Sequence, residues 1–235
     1  MISIQGLTKH FGKTRVVENL DFEIGTGNVI SMLGPNGSGK STIIKCILNL
    51  VRPNAGTISV DGIYSKSLEA RKKIAYMPQV AHFAENISAK RLINLISKLR
   101  NEYPDPTELV EYFELGEHMA KPLSDLSGGS RQKVSAILAF LFDTPIIILD
   151  EPTVGLDPVA RVNFKKLVLR EKERGKTIFF TSHITSDVEE VADEIAFLLD
   201  GGIVFRGTTQ ELVAGTGERN LEHAIAKFIK NKHEV

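Results

Sequence analysis

The sequence predicts an α/β fold in which a largely parallel sheet forms the core, a β-rich segment precedes it and a helical stretch interrupts it. Three observations carry that expectation. Residues 146–149 are wholly apolar and residues 177–181 nearly so, as in strands buried on both faces of a parallel sheet. The first third breaks into short strand-like runs separated by glycine turns. Residues from about 85 to 143 follow helical spacing instead.

In chain order, strands are expected at residues 2–4, 20–24, 29–33 and 57–60, with turns at 25–27 and 61–62. Between them, residues 40–51 set Ile43, Ile44, Ile47, Leu48 and Val51 on one helical face, and Pro53 and Gly56 close the helix. Leu92, Leu95, Ile96 and Leu99 mark a second helix. Asp105 and Pro106 cap a third, which carries Leu109, Tyr112 and Phe113. Beyond Gly129, the set Val134, Ile137, Leu138 and Leu141 makes another amphipathic face. The remainder alternates. A strand at 146–149 leads to a helix starting at Asp157 and Pro158, then a strand at 177–181 and a helix across 187–193. Residues 195–199 and 203–205 flank Gly201 and Gly202 as a hairpin, and Leu221, Ala224, Ile225, Phe228 and Ile229 stripe a closing helix. There is no internal repeat and no low-complexity segment. The organisation expected is a single unit over 1–235: an α/β core with its β subdomain (1–84 and 144–207), a helical subdomain (about 85–143) and a helical tail (208–235).

At 235 residues, with 42% hydrophobic and 25% charged residues, the chain suits one large domain able to bury a real core. Its 29 basic and 29 acidic residues balance, which argues against bulk nucleic-acid binding, though not against a local patch. A single cysteine, Cys46, excludes an intrachain disulfide and a multi-cysteine metal site, and it favours a cytosolic location. The first residues are too short in apolar length for a signal peptide. No run approaches the roughly 18 apolar residues of a spanning helix, so any membrane role is expected to come through a partner.

The densest chemistry lies in GPNGSGKST, residues 34–42. It fits the pattern G-x-x-x-x-G-K-[ST] and stands between an expected strand and an expected helix, the context that makes a P-loop. Gly34, Gly37 and Gly39 let the backbone close around phosphates, with Asn36 and Ser38 in the same loop and Thr42 just beyond it. Lys40 reaches the β- and γ-phosphates, the Ser41 hydroxyl ligates Mg²⁺, and a helix N-terminus points at the anion. Chance produces such a match in on the order of one chain in a hundred of this length, and the flanking elements lower that further. A second element is the apolar run that ends in Asp150 and Glu151. Asp150, at a strand's carboxyl end, is expected to hold Mg²⁺, and Glu151, one residue on, to act as general base on an attacking water. Taken alone, Glu151 reads equally well as a solvated acid capping the next turn. His183 follows the strand at 177–181 and should emerge on the same sheet edge, within reach of the γ-phosphate and the water. Gln79, after a strand-like segment, is a neutral group able to reach Mg²⁺ or water, and Phe11 is an aromatic able to stack on adenine. Finally, Ser127, Gly128 and Gly129 open a helix in the manner of an anion site, which raises the question of why one small chain carries two phosphate-binding loops.

In this order, these pieces resemble the ATP-binding subunit of ABC transporters over nearly the whole chain, from Phe11 to the hairpin near Gly207. Phe11 matches the aromatic loop, residues 34–42 the Walker A motif, Gln79 the Q-loop, and residues 146–151 Walker B. Residues 126–130, Leu-Ser-Gly-Gly-Ser, look like the signature LSGGQ, residues 155–157 match the D-loop, and His183 the switch histidine. The resemblance implies a P-loop NTPase, RecA-like core with an antiparallel β subdomain and an inserted helical subdomain. It implies ATP and Mg²⁺ as ligands, with Lys40, Glu151 and His183 catalytic and Ser41, Gln79 and Asp150 around the metal. Val16 and Asp157 join the nucleotide-binding set. It further implies a head-to-tail dimer in which Ser127 and Gly129 contact the γ-phosphate held by the partner's Lys40, and a helical subdomain that grips an integral membrane permease at the cytoplasmic face. Ser130 stands where the family usually has glutamine, a departure that weakens at most one contact across the dimer. The D-loop reads Val154-Gly-Leu-Asp157, where other members often have Ser-Ala-Leu-Asp.

Residues 126–160 and 181–202 more closely resemble the ATPases of ABC-2-type exporters, among them the ATPase of the copper-maturation transporter for nitrous oxide reductase. A soluble ABC ATPase acting on ribosomes or DNA is an alternative, but such proteins usually fuse two ATPase units or insert a long coiled coil, and this chain has no heptad run. A P-loop kinase or a GTPase would lack the Ser-Gly-Gly helix start.

Overall fold

β1 (Ile2–Phe11) and β2 (Thr14–Ile24) pair antiparallel, and both run well beyond the expected residues 2–4 and 20–24. The alternation was hidden because the register shifts between Ile4 and Leu7, Leu7 and Lys9, and Lys9 and His10. Gly6 (φ 59°) and Asn19 (φ 47°) sit in these irregularities, where an extra residue resets which face each side chain takes. After β3 (Val29–Leu33) comes α1 (Lys40–Ile47), which stops four residues before the expected end at Val51. Asn49 turns left-handed (φ 55°), and the N–H groups of Leu50 and Val51 bond back to the Lys45 carbonyl, which closes the helix. β4 (Ala55–Val60) and β5 (Ile63–Tyr64) complete an antiparallel sheet of order β2-β1-β4-β5. The computed structural model describes residues 1–84 and 86–233; residue 85 of the expected helical stretch and residues 234–235 of the expected tail lie outside the described residues.

A short α2 (Leu68–Lys72), capped by Ser67, leads into β6 (Ile74–Met77). The middle of the chain is helical: α3 (Ala89–Arg100), α4 (Thr107–Tyr112) and α5 (Gly128–Leu141), with two single turns of 3₁₀ helix between α4 and α5. The stripe expected on α3 splits. Leu92 is buried, but Leu95 and Leu99 are 48% and 73% exposed, so only one side of that helix rests on the core. Next come β7 (Ile146–Asp150), α6 (Pro158–Glu173), β8 (Thr177–Thr181), α7 (Thr185–Val191) and the hairpin of β9 (Glu194–Leu199) and β10 (Gly202–Gly207). α8 (Thr209–Thr216) and α9 (Leu221–His233) end the described chain.

The second sheet has the order β10-β9-β3-β8-β7-β6 and is parallel from β9 to β6. Its two faces explain the apolar runs. Ile146 and Ile148 pack with Ile43, Ile44 and Phe22, on the side of α1 and the antiparallel sheet. Ile147 and Leu149 pack on the opposite side with Phe140, Phe164 and Val168 of α5 and α6. A strand buried on both faces cannot alternate with polar residues without leaving them unpaired. The α9 stripe packs on this same core, with the Phe228 ring edge-on to Phe197 and Phe205 at 5.6 and 6.1 Å. No helix of the described residues is long and apolar enough to cross a membrane.

Candidate functional site

Because β3, β8 and β7 lie side by side and parallel, the loops leaving their carboxyl ends open on one edge of the sheet. The first is the loop between β3 and α1. Gly34 has φ 151°, and a Cβ there would run into the Leu198 carbonyl oxygen. Gly39 has φ 109°, and a Cβ there would sit 3.0 Å from the Val16 carbonyl oxygen and 3.2 Å from the Val17 side chain. Neither position accepts a side chain without displacing backbone. Gly34→Ala is therefore expected to destabilise the fold by about 1–3 kcal/mol, the usual cost of overpacking, as measured by denaturant unfolding.

Lys40 begins α1 and is buried. Its ammonium donates to the carbonyls of Gly34 (2.7 Å) and Pro35 (3.0 Å), so the loop curls around the cation. Burial pulls the Lys40 pKa below its ordinary 10.5, and the carboxylates of Glu151 and Asp150 work against that shift. The next residue, Ser41, donates its hydroxyl to Asp150 Oδ1 at 3.2 Å, which ties the start of α1 to the end of β7. Thr181, at the end of β8, donates to the same Asp150 oxygen at 2.6 Å and accepts the Glu151 N–H at 3.0 Å. Sequence reasoning missed Thr181, which reads there only as the last letter of an apolar strand.

Glu151 has φ 49°, an uncommon backbone for a non-glycine residue and of the kind that clusters at active sites. The left-handed turn takes the chain out of β7 and brings the carboxylate to His183. Oε2 accepts the His183 N–H at 3.2 Å and lies 2.7 Å from Nδ1. An ionised carboxylate only accepts, so with Glu151 ionised Nδ1 carries the hydrogen and Nε2 is left for another partner.

Beside these groups opens a cleft of about 380 Å³. Phe11, Val16, Asn36, Gly37, Gly39, Lys40, Ser41, Thr42, Gln79 and Glu151 line it. A larger, shallow hollow of about 530 Å³ lies at the opposite sheet edge, where residues 140–145 and 174–176 precede β7 and β8, and it holds none of these groups. Phe11 is 51% exposed at the mouth of the cleft, with the Lys9 ammonium 4.7 Å from its ring centroid. Ser38 is buried in the loop, and its hydroxyl has no protein partner. The left-handed loop, the buried cation and the hydroxyl–carboxylate pair Ser41–Asp150 together fit a polyphosphate with a divalent cation.

Ser127, Gly128, Gly129 and Asp157 do not line the cleft. Ser127 caps α5 by accepting the Ser130 N–H at 3.1 Å, and its hydroxyl is 3.0 Å from that of Ser130. The first turn of α5 is pressed onto the loop after β7. A Cβ on Gly129 would lie 2.8 Å from the Gly155 carbonyl oxygen. The Gln132 amide donates to the Pro152 carbonyl at 3.5 Å, and Lys133 pairs with Asp157 at 2.7 Å. Lys133, whose hydrogen bond is the main cause of the lowered Asp157 pKa, is a second residue that sequence reasoning missed. Asp157 also caps α6 through the Ala160 N–H at 2.9 Å.

A family model described as ABC transporter matches residues 17–154. The daunorubicin resistance ATP-binding protein DrrA3 of Streptomyces coeruleorubidus is 30% identical over 223 residues, which cover 92% of this chain and 71% of that protein. A solved ATP-binding subunit of an ABC transporter superposes with a TM-score of 0.89 at 26% identity, covering 97% of this chain and 98% of the other. The ATP-binding cassette MJ0796, solved as a dimer in a post-hydrolysis state bound to ADP and Pi, gives a TM-score of 0.81 at 25% identity over 88% and 98% of the two chains.

Proposed function

The chain belongs to the ABC transporter family, and on that premise we propose that it is the ATPase subunit of a membrane exporter, acting as a dimer that shares each ATP between two chains. The observation that carries the proposal is a separation. Lys40, Ser41 and Glu151 line the cleft, and Asp150 and His183 stand just behind it, bonded to Ser41 and Glu151, whereas Ser127, Gly128 and Gly129 neither line the cleft nor bond to these groups. A two-fold pair of identical chains can complete both clefts with one sequence.

In this reading the backbone of residues 36–39 and Lys40 hold the phosphates, and Phe11 and Val16 meet the base. Ser41, Asp150 and Gln79 are the residues that would hold Mg²⁺, which when bound spreads the charge of the β- and γ-phosphates. Glu151 takes the proton of the attacking water, and His183 holds Glu151 in place through Oε2 and keeps Nε2 for the γ-phosphate side. Gln79 joins the cleft to the helical segment, which in turn meets a permease at the cytoplasmic face of the membrane. The exporter class rests on the resemblance of residues 126–160 and 181–202 to exporter ATPases and on relatives such as the daunorubicin resistance protein. The same stretches support a narrower role in copper-site maturation of nitrous oxide reductase, which predicts a multi-span permease and a copper enzyme encoded beside this chain.

Lys40→Ala tests the nucleotide assignment. Losing a charged hydrogen-bond partner is worth about 1.5–3 kcal/mol, so ATP affinity is expected to fall about 10- to 100-fold in a calorimetric titration. An unchanged affinity would contradict the role given to this loop.

A further inference from the structure

A buried carboxylate that the hydrolytic chemistry does not use ties together two of the loops at this sheet edge. Asp187 lies in the first turn of α7, shortly after His183, and is 3% exposed. Its Oδ2 accepts a 2.6 Å hydrogen bond from the hydroxyl of Thr153, which follows Glu151 by two residues and is also buried. The surroundings are apolar, with Leu149, Phe164, Val168, Phe180 and Val191 around the pair. Compensation for the charge comes from α6. Arg161 Nε stands 3.5 Å from Oδ2, and Lys165 Nζ stands 3.8 Å from Oδ1 while also pairing with Glu190 of α7.

A carboxylate in such a place is weak support for stability, since a well-packed apolar residue serves as well. Asp187 Oδ1 and Arg161 Nε make no hydrogen bond, so the Thr153 hydroxyl on Oδ2 is the directional contact here, and what it supplies is one fixed arrangement of the segments that meet around it. Those segments are the loop after Glu151, the helix after His183 and the helix after the 155–157 turn. We propose that Thr153 and Asp187 are positioning residues for ATP hydrolysis: their bond holds the loop that carries Glu151 against the helix that follows His183, and so keeps the carboxylate and the imidazole in register. This rests on the ATPase reading given above.

Thr153→Val deletes the hydroxyl at nearly constant volume and substitutes no residue of the cleft. Small displacements of a reacting group are costly, so kcat for ATP is expected to fall about 10- to 100-fold while KM stays within about twofold. Thr153→Ser, which keeps the hydroxyl, is expected to return kcat to within about twofold of wild type. Asp187→Leu, which removes the acceptor, should lower kcat similarly, and the double variant with Thr153→Val should be no slower than the slower single, because both remove the Thr153–Asp187 hydrogen bond. Thr153→Val at the wild-type rate overturns the proposal, as does a Thr153→Ser chain as slow as Thr153→Val, or a double variant in which the losses multiply. Wild-type turnover in the same assay separates the two levels. A wild type that does not hydrolyse ATP overturns the ATPase reading, and an active wild type matched by Thr153→Val overturns only the positioning role.

Discussion

Replacing Glu151 with Gln is expected to stop ATP hydrolysis and leave ATP binding intact. Glutamine has the shape of glutamate, and its amide oxygen can still accept the His183 N–H that Oε2 now accepts at 3.2 Å. The backbone of the loop is held independently of the side chain, by the Glu151 N–H on Thr181 Oγ1 at 3.0 Å. Lys40 remains cradled by Gly34 and Pro35, and Ser41 remains on Asp150. What disappears is the proposed base, because an amide does not take a proton from water at neutral pH. General-base catalysis is worth roughly 10²–10⁴-fold, so kcat should fall by about that factor while the Kd for ATP moves by less than about threefold. Single-turnover phosphate release and equilibrium nucleotide binding on the same preparation measure the two quantities. A variant that hydrolyses ATP within about tenfold of wild type would place the base elsewhere.

Ser127→Arg is expected to abolish turnover by a different route. Ser127 is not part of the cleft of its own chain, so a single chain should bind ATP as before. The substitution removes the helix cap that Ser127 provides to the Ser130 N–H, a loss of about 1 kcal/mol that a domain of this size absorbs. In the proposed dimer, however, the side chain would enter the space assigned to the partner's γ-phosphate and the N-terminus of α5. A long cation there keeps the two surfaces apart. Turnover should drop to background, and ATP-driven association should vanish with it. Ser127→Ala is the control, since it loses the cap and the hydroxyl without added bulk and should retain association. If Ser127→Arg hydrolyses ATP like wild type, the site is not shared.

Much of this was legible in the sequence, and the reasons are local. β3, β7 and β8 announce themselves because both of their faces are buried, which leaves no room for polar alternation. The loop at residues 34–42 is legible because phosphate binding constrains consecutive residues, and glycine is forced at Gly34 and Gly39 by contacts with Leu198 and Val16. β1 and β2 were seen only in part because their bulges reset the period. α2 and α8 are too short to show a period at all. α8 starts on a capping box in which Thr208 and Glu211, three residues apart, each accept the other's backbone N–H. The polar contacts that order the site left no trace in spacing. Thr181 meets Asp150 across neighbouring strands, Thr153 meets Asp187, and Lys133 meets Asp157. Each is a tertiary pairing of residues far apart in the chain, and no periodicity encodes it.

The central claim, that each ATP is completed by a second chain, is tested most directly by the molar mass of Glu151→Gln in saturating Mg-ATP, read by light scattering after size exclusion. The expected result is twice the 25.9 kDa of one chain. It should return to 25.9 kDa when nucleotide is withdrawn, and also when Ser127→Arg is added. A Glu151→Gln chain that carries ATP yet stays at 25.9 kDa would contradict it.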